Sequence, residues 1–218
     1  MTQVFRPAAN TIAVLLMAVL GAAPVVAVGL GYTLMKSPYV TNEGVTREQP
    51  VPFSHAHHVG GLGLDCRYCH TSVATARLAG IPPTATCMTC HSQLWTNAEM
   101  LAPVRKSLAS NTPIHWQRVH VLPDYVYFDH SIHIAKGVGC STCHGAVDRM
   151  PLMQQAAPLT MGWCLDCHRH PETALRPKDK VFDMTWTPPK DQIARGRQLM
   201  TENHIDTTHL TDCSKCHR

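Results

Sequence analysis

Aromatic side chains are scarce in this 218-residue chain, at 6%, and charged ones reach only 16%. Four Phe and four Trp cannot fill an ordinary core, while 16 prolines and 13 glycines break up regular elements. A conventional globular interior is therefore excluded, and the apolar mass has to come from elsewhere. No long Lys/Arg block is present, so the formal charge of +4 gives no ground for a nucleic-acid partner. From Thr11 to Met35 there is no charged side chain at all. Nor does any cysteine stand outside a pattern: all ten fall into five copies of one five-residue design.

Those copies are Cys66-Arg67-Tyr68-Cys69-His70, Cys87-Met88-Thr89-Cys90-His91, Cys140-Ser141-Thr142-Cys143-His144, Cys164-Leu165-Asp166-Cys167-His168 and Cys213-Ser214-Lys215-Cys216-His217. C-x-x-C-H is the attachment signature of c-type haem: two thiols add to the two vinyl groups of one porphyrin, and the adjacent histidine ligates its iron. Two intervening residues let both sulfurs reach one side of a flat macrocycle, and the next position carries the imidazole to the metal. Zinc sites also pair cysteines with histidines, and cysteines close disulfides in an oxidising compartment. Neither alternative explains a histidine placed directly after the second cysteine every time.

The sequence thus predicts five covalently bound haem c groups on these ten cysteines, with His70, His91, His144, His168 and His217 as proximal ligands. Each porphyrin is a large apolar plate and supplies the missing core. The expected fold is a mostly irregular multihaem cytochrome c with short α-helices and a single N-terminal transmembrane helix. Five haems bring about ten propionate charges against about five from ferric iron, so the loaded protein is nearer neutral or acidic than its side chains imply.

Residues 1–10 are a short polar start with Arg6 as the one charged side chain. Residues 11–35 exceed the about 20 apolar residues that a membrane-spanning helix needs, whereas a secretory signal has an apolar region of about 7–15. An uncleaved anchor is expected, bent slightly at Pro24, with Gly21, Val25, Gly29 and Tyr32 near one face suited to packing on other membrane helices. Arg6 against Lys36 is a weak charge bias. Haem attachment takes place outside the cytoplasmic membrane of bacteria, so the expected arrangement is single-pass, with a cytoplasmic amino terminus and a periplasmic haem domain. Residues 36–52, with Pro38, Gly44, Pro50 and Pro52, read as a linker, and 53–218 as the pentahaem domain.

Within that domain a duplication is visible. Phe53-Ser54-His55-Ala56-His57-His58 precedes the first motif and Phe128-Asp129-His130-Ser131-Ile132-His133 the third, both reading F-x-H-x-x-H. The offset is 75 residues for His55 to His130 and 74 for Cys66 to Cys140. A two-haem unit is used twice, repeat one at 53–91 and repeat two at 128–168, followed by the fifth motif at 213–217. Val126–Phe128 suits a short strand that Pro123 limits. Residues 171–189 read as a surface connection, and 191–203 as a helix weakened by Gly196.

Ten histidines lie outside the motifs. The paired His55, His58, His130 and His133 are the expected distal ligands, since residues three apart on one turn point towards neighbouring irons. His58 and His133 are expected to serve haems other than the one whose motif follows, tying the two repeats together. His120 is a further candidate, ahead of His57, His115, His170, His204 and His209. Between His144 and Cys164 there is no histidine, but Met150, Met153 and Met161 occur. Met153, with Met150 second, is therefore expected to ligate the fourth haem and raise its potential. Six candidates compete for five seats.

The F-x-H-x-x-H and C-x-x-C-H arrangement resembles the small multihaem cytochromes of sulfate and metal reducers. Together with the anchor, Asp65-Cys66-Arg67-Tyr68-Cys69-His70, Leu122-Pro123-Asp124-Tyr125-Val126-Tyr127-Phe128 and Met161-Gly162-Trp163-Cys164, the chain resembles the pentahaem cytochrome subunit of alternative complex III over most of residues 10–218. The small cytochromes imply His55 on the first haem and His130 on the third. The larger resemblance implies an electron relay among other subunits of a membrane quinol oxidoreductase complex, delivering to a periplasmic cytochrome or copper-protein acceptor. The alternative is a free-standing multihaem quinol dehydrogenase or a multihaem reductase.

Overall fold

The computed structural model describes residues 5–218; the first four residues of the expected cytoplasmic segment lie outside them. Two units form, one ending at Asn42 and one running from Glu43 to Arg218. The first is nearly all one helix, α1, Ala9–Met35. Its 27 residues extend about 40 Å at about 1.5 Å each, against about 30 Å for the hydrocarbon core of a bilayer. None of its side chains is buried. Pro24 sits inside the helix and, lacking an N–H, gives the Leu20 carbonyl no helical donor. A Cβ added at Gly21, Gly29 or Gly31 would meet nothing within 4 Å, so the glycines leave room for a neighbouring helix. The segment is long and apolar enough to cross a membrane, as anchors and signal sequences both are. One further turn, α2 (Pro38–Thr41), has Pro38 at its first position and ends on Asn42 in the left-handed region (φ 58°).

The second unit strings short helices along irregular chain: α3 (Cys66–Cys69), α4 (Thr84–His91), α5 (Ala102–Ser110), α6 (His130–Ala135), α7 (Cys140–His144), α8 (Met161–Arg169), α9 (Gln192–Glu202) and α10 (Cys213–Cys216). Among the described residues no strand forms, and pairing stops at isolated bridges such as Val126 with His217. The strand expected at Val126–Phe128 is reduced to that bridge because the Val126 N–H is spent on a turn to the Pro123 carbonyl (2.9 Å). Val51, Leu101 and Val104 make a small buried cluster between α4 and α5, with Ile114 and Trp116 against it. The other buried apolar residues, such as Val73 and Val147, lie scattered, as a composition this poor in aromatics requires.

Residues 171–189 are not the surface connection expected of them. Leu175 and Val181 are each 1% exposed and Arg176 is 3% exposed. The Arg176 N–H donates to the Gly137 carbonyl (2.9 Å) and the Cys140 N–H to the Val181 carbonyl (3.1 Å), so the segment closes over the start of α7. It is held in turn by α9, whose Gln192 side chain donates to the carbonyls of Glu172 (2.9 Å) and Leu175 (2.8 Å). Gly196, a weakness of α9 by propensity, is buried where the helix crosses Pro171–Thr173. A Cβ there would overlap the Glu172 carbonyl. Gly196→Ala is therefore expected to cost about 3 kcal/mol or more instead of gaining the about 1 kcal/mol that alanine usually brings to a helix; denaturant unfolding of the loaded protein measures it.

Candidate haem-binding sites

Every motif sits on or ends a short helix, which sets its two sulfurs one turn apart with the histidine at the C-terminal end. Local chemistry starts these helices. The Asp65 carboxylate caps α3 by accepting the Arg67 N–H (2.8 Å) and grips the same residue's guanidinium. The Thr160 hydroxyl accepts the Trp163 N–H at the start of α8 (3.4 Å), while α7 follows Gly139 and α10 follows Asp212. No disulfide joins any of the ten cysteines. Burial, with Cys167 and Cys164 nearby, pushes the Cys143 thiol up to about 12.

The proximal histidines share one hydrogen-bond habit. His70 Nδ1 meets the Gly80 carbonyl (2.7 Å), His168 Nδ1 the Leu210 carbonyl (2.9 Å), His91 Nδ1 the Leu94 carbonyl (3.2 Å) and His217 Nδ1 the Tyr125 carbonyl (3.3 Å). A carbonyl only accepts, so each Nδ1 carries the proton and each Nε2 presents a lone pair, the tautomer and orientation that a metal requires. His144 departs from the habit: its Nδ1 lies 3.2 Å from His120 Nε2.

The two F-x-H-x-x-H segments repeat each other in space. Phe53 stacks on His58 (4.3 Å, 21°) and meets His55 edge-on (4.9 Å, 84°). Phe128 does the same to His133 (4.5 Å, 29°) and His130 (4.8 Å, 87°). His58 Nδ1 bonds to the Ser54 carbonyl (2.8 Å) and His133 Nδ1 to the Asp129 carbonyl (2.6 Å). The second pair rides on α6, whereas the first opens a π-helical turn, Ala56–Gly61. Within that turn Gly60 packs so closely on the Asp148 carbonyl that a Cβ would overlap it. His130 Nδ1 reaches the Arg77 carbonyl (2.9 Å), while the buried His55 Nδ1 has no partner.

These histidines face the proximal ones. Ring centres are 6.2 Å apart for His58 and His91, 6.3 Å for His130 and His144, and 6.2 Å for His133 and His168. Two metal–nitrogen bonds of about 2 Å, plus about 1.1 Å from each nitrogen to its ring centre, require about 6.2 Å. The residues present thus fit an iron between each pair of imidazoles. His55 is within electrostatic reach of His70. Burial first, then His70 and His58, brings His55 down to about 4, and burial with His120, His130, His70 and His55 brings His144 to about 3. Burial likewise lowers His133 and His120. At neutral pH these rings are uncharged, the form that binds metal.

Several sequence expectations look different in this geometry. His58 and His133 were expected to serve haems other than the one whose motif follows; their rings face His91 and His168, each in the second motif of its own repeat. The position facing His168, for which Met153 was the expected ligand, is held by the His133 ring. Met153 is half-buried, and the buried Met150 lies beside Gly145, next to the third motif. His120 contacts the edge of His144 (4.4 Å, 72°) instead of standing at the spacing of the other pairs. His57 stacks on Trp95 (5.9 Å), His170 and His209 lie beside Glu172 and Asp212, and His115 and His204 are exposed. Two features had no signal in the sequence: the backbone carbonyls that fix the rings, and Arg176, buried against the third motif.

Comparison with known proteins agrees with this geometry. The family model described as cytochrome c7 and related cytochrome c matches residues 126–218, the second repeat and the fifth motif. The multiheme cytochrome c subunit of menaquinone reductase from Nitratidesulfovibrio vulgaris (strain Hildenborough) is 35% identical over 174 residues, which cover 79% of this chain and 78% of that protein. With its helix-rich, strand-poor fold, its apolar N-terminal helix and its paired imidazoles, the chain belongs to the multihaem c-type cytochromes of the cytochrome c7-like family.

Proposed function

We propose that this chain is a membrane-anchored pentahaem relay within a quinol oxidoreductase complex of the alternative complex III type, passing electrons between quinol-oxidising partner subunits and a periplasmic cytochrome or copper protein. The observation that carries the reading is the set of imidazole pairs spaced 6.2–6.3 Å apart with Nδ1 already engaged. At the four sites where two histidines face each other, haem would exchange one electron between its ferrous and ferric states and offer substrate no vacant position. In this reading His55 pairs with His70, His58 with His91, His130 with His144 and His133 with His168, while His217 serves the fifth site. Met153 and His120 then drop out of the ligand set. His120 instead accepts the Nδ1–H of His144, as backbone carbonyls do for the other proximal histidines.

The relative's name describes reduction of menaquinone, the opposite direction through the same kind of relay. Direction is set by the potentials of donor and acceptor, and the histidine framework serves either. Residues 11–35 act as the single-pass anchor, residues 36–52 as the linker and 53–218 as the haem domain, on the extracytoplasmic side where the thiols meet haem.

Purification of the intact chain in mild detergent tests the proposal. Polytopic quinol-reactive partners should accompany it, and added quinol should reduce its haems only while they are present. Retained quinol oxidation by the chain alone would favour a free-standing quinol dehydrogenase. Two further outcomes are expected. Intact mass after acid denaturation should exceed that of the polypeptide by five haems. Replacing residues 1–35 by a cleavable signal should give a loaded, soluble cytochrome that no longer joins the complex.

A further inference from the structure

Resting on the relay reading above, we propose that the five sites, numbered by motif along the chain, are strung in the order second, first, third, fourth, fifth, and that electrons enter and leave at the second and the fifth. Each link in this order has its own contact.

The second site joins the first because His58, facing His91, and His55, within electrostatic reach of His70, lie one turn apart. The motif helices also touch, through the hydroxyls of Tyr68 and Thr89 (2.8 Å). The first joins the third through the loop 77–80: the Gly80 carbonyl holds His70 (2.7 Å) and the Arg77 carbonyl holds His130 (2.9 Å). Cys66 and Cys140 lie beside each other, which brings the attachment edges of these two sites together. The third joins the fourth because His130 and His133 share α6 and face His144 and His168. The fourth joins the fifth where His168 donates to the Leu210 carbonyl (2.9 Å), three residues before Cys213.

An independent observation marks the same two ends. Of the ten cysteines only Cys90 and Cys213 are exposed, one in the second motif and one in the fifth. Tunnelling falls steeply with distance, so a partner exchanges electrons fastest where a thioether edge reaches the surface. The motif nearest the membrane anchor in sequence is thus an interior link. Each transfer oxidises one site by one electron and reduces its neighbour by one, with no bond or proton changing on the chain. The source is a quinol, acting through partner subunits at one port, and the sink is an oxidised one-electron metalloprotein at the other.

EPR of the fully loaded chain tests the order. A methionine ligand raises the potential of a haem, so His55→Met or His58→Met holds one site ferrous and diamagnetic at a poise where the others stay ferric. Silencing the first site by His55→Met is expected to release one sharp, uncoupled low-spin spectrum from the second. Silencing the second by His58→Met is expected to release none. The reverse result would string the sites in motif order and overturn the proposal, as would release by both or by neither. His133→Met gives a separate check at the far end and should release the fifth site; a fifth site still coupled overturns the linear order even if the first pair of variants fails to load. A haem count below five in the unaltered chain would instead strike the relay reading itself.

Discussion

Replacing His133 by alanine is expected to convert the fourth site from low to high spin, removing the low-spin signal of one haem and opening a position that carbon monoxide occupies. The His133 ring stands 6.2 Å from His168, its Nδ1 is fixed 2.6 Å from the Asp129 carbonyl, and Phe128 stacks on it. Among the described residues, no other histidine ring faces His168 at that spacing. His58→Ala should do the same at the second site, through His91. Each change should alter the ligation of that one site alone. Met153→Ala is the control: near-infrared and EPR spectra of the oxidised protein should not change. A loss of low-spin signal in Met153→Ala, with His133→Ala silent, would return the fourth seat to the thioether.

What could be read beforehand divides along a physical line. The motif cysteines, the proximal histidines and the F-x-H-x-x-H pairs are local patterns, and a local pattern fixes which residues share a turn. It does not fix what the turn faces. Met153 was therefore the expected ligand of the fourth site, because no local pattern shows that His133 and His168, 35 positions apart, stand 6.2 Å from each other. The long apolar helix was legible because its only requirement is length without charge. Residues 171–189 were misjudged for the opposite reason. Their prolines and charges are those of a loop, yet Leu175, Arg176 and Val181 are buried by contact with Gly137 and Cys140, which no short-range rule foresees. Gly196 was misread likewise, since propensity counts its cost in an isolated helix and not the approach it permits.

The same buried segment supports the prediction with the largest expected effect on stability. Gly139 precedes the third motif, and a Cβ on it would fall inside the Arg176 guanidinium. That guanidinium donates to the hydroxyls of Ser141 (2.9 Å) and Thr142 (3.3 Å) and the Asp183 carbonyl (3.3 Å), and lies over the Trp186 ring (4.3 Å). No carboxylate is among these partners; the Asp183 carboxylate is engaged by Thr185 and Lys180, and Arg176 Nε is buried with no partner. Gly139→Ala forces this charge off its acceptors without giving it water, and is expected to cost about 3–5 kcal/mol. Adding Arg176→Ala should recover part of that loss, because the clash disappears with the arginine, so the double mutant should be less destabilised than the sum of the singles. Arg176→Met separates charge from packing. A fixed positive charge at the back of α7 favours the ferrous state of the third site, so its removal should lower the midpoint potential of one haem by on the order of tens of millivolts. Potentiometric titration of the loaded variant reads this directly, and an unchanged set of five potentials would reduce Arg176 to a purely structural wedge.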